Sequence, residues 1–305
     1  MDVVFLGTPK FAVPTLEALV AAGHNVIAVV TQPDRPSGRG QQLTPSPVKE
    51  AALRLGLRIY QPERVRRPEA VAALAELKPD VMVVVGYGQI IPQAVIDIPP
   101  HGIINVHGSL LPKYRGAGPI QWAIANGETR TGVTTMRIDA GLDTGEMLLK
   151  AETEIGPDET AVELGARLAT LGADLLVETL AQIGTIVPEK QDAAQSTYAP
   201  LLKKEDGRID WRQSAPSIHN RVRGFQPWPG AYTHFRGQQL HIWKSRMAAA
   251  APGEPGRLWR HPLRAVCGEG ALELIEVQLE GRKRIAGEAF ANGQRIADGD
   301  ILGES

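Results

Sequence analysis

Cysteine is nearly absent: Cys267 stands alone among 305 residues. That excludes an internal disulfide framework and fits a reducing compartment. Within its apolar run, Cys267 reads as a small buried strand residue and not as a nucleophile. Long apolar runs are missing too: none reaches the roughly 18 residues of a membrane span. Met1-Asp2 leads straight into Val3-Val4-Phe5-Leu6, so no targeting peptide is expected, and the cytoplasm is the expected location. The first strand-to-helix turn, Gly7-Thr8-Pro9, lacks the spaced glycines of a dinucleotide fingerprint, which disfavours a nicotinamide cofactor. His and Cys nowhere cluster at ligand spacing, and no metal is expected.

What the chain does contain is ordinary for a soluble globular protein, with 43% hydrophobic and 22% charged residues. Its length exceeds one average domain, so two are expected. Val3 to Leu6, a helical Phe11 to Gly23 and Val26 to Val30 open a β-α-β unit. Helical patterns over Val48 to Leu55 and Pro68 to Leu77 alternate with Arg58-Ile59-Tyr60 and the strongly apolar Asp80 to Val85. This alternation predicts a doubly wound, Rossmann-like α/β domain over residues 1–189. Its last helix, from about Thr160 to Gln182, carries Leu164, Leu168, Leu171 and Leu175 as one apolar stripe. Residues 190–208 are polar and charged and read as a linker. Beyond them, over 209–305, short strands at Ala231 to Phe235, Gln239 to Trp243, Arg264 to Cys267 and Ala271 to Val277 predict a small C-terminal β-barrel.

Chemistry concentrates in Asn105-Val106-His107-Gly108-Ser109-Leu110-Leu111-Pro112, which follows the β-branched Ile103-Ile104. In a strand, Asn105 and His107 point the same way, setting an amide and an imidazole side by side at a carboxyl end, where open α/β sheets bind ligands. The amide can donate to an oxygen that becomes negative, and the imidazole can donate or move a proton, as acyl transfer requires. The acid that would complete the set is sought in Asp139-Ala140-Gly141-Leu142-Asp143-Thr144-Gly145, which offers Asp139 and Asp143. Taken alone, an Asn-x-His at a strand end is more often structural, and Gly86-Tyr87-Gly88-Gln89-Ile90 is a plain strand-to-helix turn. The Pro- and Gly-rich stretch from Gln32 to Pro47 is too long for a routine connection, and Gly38 and Gly40 flank Arg39, an arginine able to reach a phosphate. Net charge also divides: residues 203–305 hold 16 basic against 12 acidic side chains, and residues 1–202 hold 17 against 22. The C-terminal part is thus the candidate for an anionic partner.

Together the Asn105 to Pro112 motif, Arg115-Gly116 and the Asp139 to Gly145 turn resemble the signature of the formyltetrahydrofolate-dependent formyltransferases. The resemblance implies that Asn105, His107 and Asp143 form the catalytic set. It implies 10-formyltetrahydrofolate as cosubstrate, held by Ser109, Leu110, Leu111 and Pro112, by Asp139, and by Gly86, Tyr87, Gly88 and Ile90, mainly through main-chain groups. The Gln32 to Pro47 loop resembles the basic insertion that tRNA-acting members of the family set against the acceptor end of initiator tRNA. Ile209-Asp210-Trp211 and Phe225-Gln226-Pro227-Trp228-Pro229 resemble the start of those members' oligonucleotide-fold-like (OB-like) C-terminal domain. The implied reaction is formyl transfer to the α-amine of methionyl initiator tRNA, by an enzyme expected to be a monomer. Arg35, Arg39, Lys203, Arg221, Arg223 and Lys244 are the candidate phosphate contacts, while Trp211, Trp228, Trp243 and Trp259 are assigned to the barrel core. The nearer alternative is a folate-dependent formyltransferase or formyltetrahydrofolate hydrolase acting on a small molecule. The farther is a tRNA-binding protein with an inactive transferase domain.

Overall fold

In the computed structural model, which describes residues 1–37 and 42–303, the apolar runs assemble into one seven-stranded sheet. The chain order is β1 (Asp2–Gly7), α1 (Val13–Ala21), β2 (Asn25–Val30), β3 (Arg35–Ser37), β4 (Gln42–Thr44), α2 (Pro47–Arg54), β5 (Ile59–Tyr60), α3 (Pro68–Glu76), β6 (Val81–Val85), α4 (Gln93–Ile96), β7 (Ile103–His107), α5 (Pro119–Ala125), β8 (Arg130–Arg137), β9 (Met147–Glu154) and α6 (Ala161–Ala181). Across the sheet the order is β5-β2-β1-β6-β7-β8-β9. The first five are parallel, and β8 runs antiparallel to β7. The chain leaves β1 for β2 on one side and returns to the other for β6. At such a reversal of strand order an α/β sheet opens a crevice beyond its carboxyl ends.

Every residue of β6 is buried, as is every residue of β7. Continuous apolar runs of this kind belong to parallel strands covered on both faces, and each fully buried Val or Ile side chain contributes about 1.5–3 kcal/mol. Within that run Asn105 and His107 are the polar exceptions, 8% and 5% exposed.

The long Gln32 to Pro47 stretch, expected as an open loop, contains a short hairpin: β3 pairs antiparallel with β4. Its base is fastened. Lys49 Nζ pairs with Asp34 Oδ2 at 2.6 Å, Gln61 Nε2 donates to Asp34 Oδ1 and to the Gln32 carbonyl at 2.9 Å each, and Ser46 caps α2 by accepting from Lys49 N. The Lys49 and Gln61 bonds hold the Asp34 carboxyl below the usual carboxylate range. Arg39 lies outside the described residues.

By contacts the chain forms two compact units, one of Met1–Gly116, Thr131–Thr153 and Gly165–Tyr198, the other of Ala117–Arg130, Glu154–Leu164 and Ala199–Ser305. The stretch 190–208, expected as a linker, is divided between them after Tyr198. In the second unit α7 (Ala215–Gly224) is followed by β10 (Ala231–Phe235), β11 (Gln238–Ala248), β12 (Leu258–Trp259), β13 (Arg264–Val266), β14 (Ala271–Leu279), β15 (Ile285–Ala286) and α8 (Gly287–Gly293). The strands form one antiparallel sheet, β10-β11-β14-β13-β12 with β15 on β14. Trp211 is buried in its core, with Nε1 donating to Thr233 Oγ1 at 3.0 Å. Core assignment fails for Trp228, which is 54% exposed, and Trp243 and Trp259 are only half-buried. Cys267 is buried as expected, and burial pushes its thiol up to about 12, so it is inert at neutral pH.

Helix α7 explains why Glu154–Leu164 belongs to the second unit. Arg223, 7% exposed, donates Nη1 to the Gly156 and Glu159 carbonyls at 3.0 Å each and Nε to Asn220 Oδ1 at 2.9 Å. One turn earlier, His219 sets Nδ1 3.0 Å from Ser245 Oγ and Nε2 3.4 Å from the Pro157 carbonyl, with Asp158 Oδ1 at 3.3 Å. A carbonyl only accepts, so Nε2 carries the proton and Nδ1 accepts from the Ser245 hydroxyl.

Burial lowers the His219 pKa from 6.5, the dominant cause, against the opposing Pro157 and Asp158 contacts; Arg223 lowers it further. The unfolded chain then binds the proton more readily. His219 therefore favours folding above the ordinary histidine value, and that advantage is lost as pH falls through it. His219→Gln is expected to flatten the decline of the thermal midpoint between neutral pH and pH about 5. A residual slope should remain, because burial also lowers His24 and His241. An unchanged pH profile of the midpoint would remove His219 from this account.

Candidate active site

Strand β7 delivers Asn105 opposite Met136 and His107 opposite Thr134 of β8. The chain then turns through Gly108 into a loop closed by its own hydroxyls. Ser109 Oγ donates to the Lys113 carbonyl at 2.6 Å, and Thr134 Oγ1 donates to the Ser109 carbonyl at 2.7 Å while accepting from Leu111 N at 3.1 Å. Leu111 is buried with Met136 and Met147, and Leu110 is half-buried. Ser109 is wholly buried, so this part of the expected cosubstrate loop is packed scaffold, and Leu110 and Pro112 are its more accessible members.

His107 is oriented by a group the sequence does not advertise. Its Nε2 lies 2.9 Å from the carbonyl of Tyr114, a residue in the left-handed region at φ 60°. That bond fixes Nε2 as the donor and leaves Nδ1 for chemistry. Asp143 Oδ2 stands 3.7 Å from Nδ1, beyond hydrogen-bond reach, and accepts from Gly116 N at 2.9 Å. The expected acid is therefore beside the imidazole, and the bond that holds the ring comes from Tyr114. Asn105 has no hydrogen bond from its amide among the described residues. With 8% of its surface still exposed, the side chain is left able to meet a ligand.

The Asp143 turn is braced from two directions. Asp139 accepts from Gly141 N at 3.0 Å and from Thr144 Oγ1 at 2.8 and 2.9 Å, so its carboxylate is occupied within the turn. Gln191 Nε2 donates to the Asp143 and Gly145 carbonyls, both at 2.8 Å, and its Oε1 accepts from Arg115 Nε at 3.0 Å. Thr197 Oγ1 accepts from Tyr114 N at 2.8 Å. A Cβ at Gly145 would stand 1.9 Å from the Arg137 carbonyl, so only glycine lets the turn close there. Gln191, Thr197 and Tyr114 escaped sequence reasoning: the first two sit in an aperiodic polar stretch, and the third acts through its backbone.

At the end of β6, Gly86 and Gly88 take φ 57° and 82°. The Tyr87 side chain is 1% exposed in the core, burial pushes its phenol up to about 12, and its carbonyl accepts from Thr8 Oγ1 and Gln32 Nε2. Ile90 is 90% exposed. A ligand here would meet glycine backbone and Ile90, not the Tyr87 ring.

The expected phosphate contacts among the described residues differ in what already holds them. Arg223 is spent on carbonyls within its own unit, a correction to its reading from charge alone. Arg221 donates to the Asp206 carbonyl and lies over the Phe225 ring at 5.0 Å, while Arg35, Lys203 and Lys244 are exposed. Lys244 borders a cavity of about 660 Å³ with His219, Glu163 and Arg284.

The family model for formyl transferase matches residues 1–180, and that for its C-terminal domain matches residues 201–295. The chain belongs to the formyl transferase family. A methionyl-tRNA formyltransferase of Solibacter usitatus is 71% identical over 308 residues, covering 100% of this chain and 99% of the relative. One from Koribacter versatilis is 58% identical, covering 99% of each. The fold also matches the crystal structure of an N-formyltransferase from Helicobacter canadensis in complex with folinic acid and dTDP-3-aminofucose, with a TM-score of 0.68 at 19% identity over 93% of this chain and 100% of that one. All eight residues from Asn105 to Pro112 fall within the first family match.

Proposed function

We propose that this member of the formyl transferase family moves the formyl group of 10-formyltetrahydrofolate to the α-amine of methionyl initiator tRNA, acting as a cytoplasmic monomer. The observation that carries the chemistry is the nearly buried Asn105, whose amide has no hydrogen bond among the described residues, beside a His107 ring whose Nε2 is already held. The substrate class follows from full-length relatives that bear the name methionyl-tRNA formyltransferase.

In this reading the neutral amine attacks the formyl carbon, and the carbonyl oxygen takes up negative charge. The Asn105 N–H donates to that oxygen, and His107 Nδ1, when protonated, does the same. Asp143 receives the amine proton directly or through a water, its carboxylate standing 3.7 Å from Nδ1. The leaving nitrogen of the folate then takes a proton and tetrahydrofolate departs. The glycine turn at 86–88, Ile90 and the Leu110 to Pro112 loop bind the folate, with residues 1–189 as the catalytic part, 190–208 as the connection and 209–305 as the RNA-binding part.

Labelled formyl transfer from 10-formyltetrahydrofolate should be measured with methionyl initiator tRNA, methionyl elongator tRNA and free methionine side by side. Labelling of the initiator alone is the expected result. Folate binding without labelling of any of the three would move the search to a small amine substrate.

A further inference from the structure

We propose that the solvent face of the β12 and β13 hairpin binds RNA backbone phosphates through Arg257 and Arg264, which flank Trp259. The inference rests on the reading of this chain as an enzyme that acts on tRNA, and concerns residues outside the six expected phosphate contacts.

Strand alternation builds the face. Leu258 and Ala265 oppose each other in register and are buried, at 1% and 0% exposure. Arg257, just before β12, Trp259 on it, and Arg264, opposite Trp259, therefore share the other side of the hairpin. One strand further, Arg264 opposes Glu273, and Glu273 opposes Arg246. The carboxylate is taken: Arg246 Nη2 donates to Glu273 Oε2 at 2.7 Å. Among the described residues, neither the Arg257 nor the Arg264 guanidinium has a hydrogen bond or an ion pair.

The positions are also fixed. Arg257 lies over the Trp259 ring at 6.0 Å, and the indole is pinned by Nε1 donating to the Pro252 carbonyl at 3.1 Å. The Arg257 stem runs so close to Gly253 that a Cβ there would meet its Cδ at 2.5 Å. Arg260 continues the cluster into the turn, anchored by its N donating to Asp298 Oδ1 at 2.8 Å and Nη2 to Asn292 Oδ1 at 3.0 Å. The Nε atoms of Arg257, Arg260 and Arg264 are all buried without a partner.

A buried Nε–H without an acceptor costs free energy, and at Arg257 and Arg264 the rest of the guanidinium has no protein acceptor among the described residues either, so the pair suits an anion. A phosphodiester supplies acceptor oxygens in the geometry of the arginine fork, and the indole between them offers a flat face to an adjacent base or sugar.

The test is R257Q/R264Q, with R64Q/R66Q on α/β-unit surface residues removing the same charge as a control. Binding of methionyl initiator tRNA is measured by filter retention over a series of KCl concentrations, beside steady-state formyl transfer. For R257Q/R264Q the affinity should fall about tenfold or more and the slope of log K against log salt should flatten by roughly one to two. KM for tRNA should rise by the same factor, with kcat and KM for the folate unchanged, and the control should bind as wild type. If the wild-type chain transfers formyl to tRNA and R257Q/R264Q binds as wild type, the surface is wrong and the transfer reading stands. If no transfer occurs but binding still falls in the variant, the transfer reading fails and the surface stands. Stabilisation by inorganic phosphate with tRNA affinity unchanged in the variant reassigns the face to a free anion and overturns the proposal. Should R257Q/R264Q melt early, R257K/R264K is measured in its place: loss of the planar fork with charge retained should weaken tRNA binding at an unchanged salt slope, and wild-type affinity would reject the arginine fork.

Discussion

Asn105→Ala is expected to leave a folded protein that binds folate and turns over at about a hundredth of the wild-type rate or less. Among the described residues the amide makes no bond, so its removal breaks none in the β7 framework. What is lost is a preorganised donor to the oxygen that becomes charged, and such a donor is worth roughly 3–4 kcal/mol in other acyl-transfer enzymes, or about 10² to 10³ in kcat. Because the donor acts on the charged oxygen, kcat should fall with little change in the KM of the folate. Steady-state formyl transfer is the measurement. A rate within a few-fold of wild type would mean that the buried amide serves only to fill the strand end.

Asp143→Asn is expected to lower turnover by about 10² to 10⁴, the range of general acid and base catalysis. The substitution is chosen because it separates charge from scaffold. Asp143 sits at φ 51°, a backbone region that Asn also enters readily, and an Asn oxygen can still accept from Gly116 N. The turn should therefore close as before, while the proton acceptor beside His107 Nδ1 is gone. Single-turnover transfer with folate and amine both saturating reads the chemical step alone. Turnover close to wild type would make Asp143 a brace for the Arg115-Gly116 loop and leave the proton to a different acceptor.

The sequence made the catalytic strand legible because its signals were strong and local. A β-branched run into Asn105-Val106-His107-Gly108 can hardly be anything but a strand that ends in a loop, and β6, β10 and α6 fell where their patterns put them. Two- and three-residue strands such as β3, β12 and β15 carry too few residues to show a period, so the hairpin inside the Gln32 to Pro47 stretch stayed invisible. Arg223 illustrates the limit of charge as a guide. On a polar helix an arginine reads as solvated, and only the fold reveals that carbonyls 64 and 67 residues away in the chain claim it. Tyr114 could not be found at all from its side chain, since its carbonyl does the work. Arg257 and Arg264 were hard to single out for the opposite reason: basic residues in the last third are common, and what marks these two is a buried Nε without an acceptor beside a pinned indole, which no sequence displays.

Gln191 and Thr197 carry a consequence for how the catalytic part can be isolated and made. Both lie beyond residue 180, where the first family match ends, yet they hold the Asp143 turn and the Tyr114 backbone that in turn holds His107. A fragment cut at residue 180 would contain Asn105, His107 and Asp143 and still have a floppy reaction centre. During synthesis the same order applies. The last of the three reactive side chains leaves the ribosome 48 residues before Gln191, the first brace that aligns them, so the nascent chain acquires its shape well ahead of its competence.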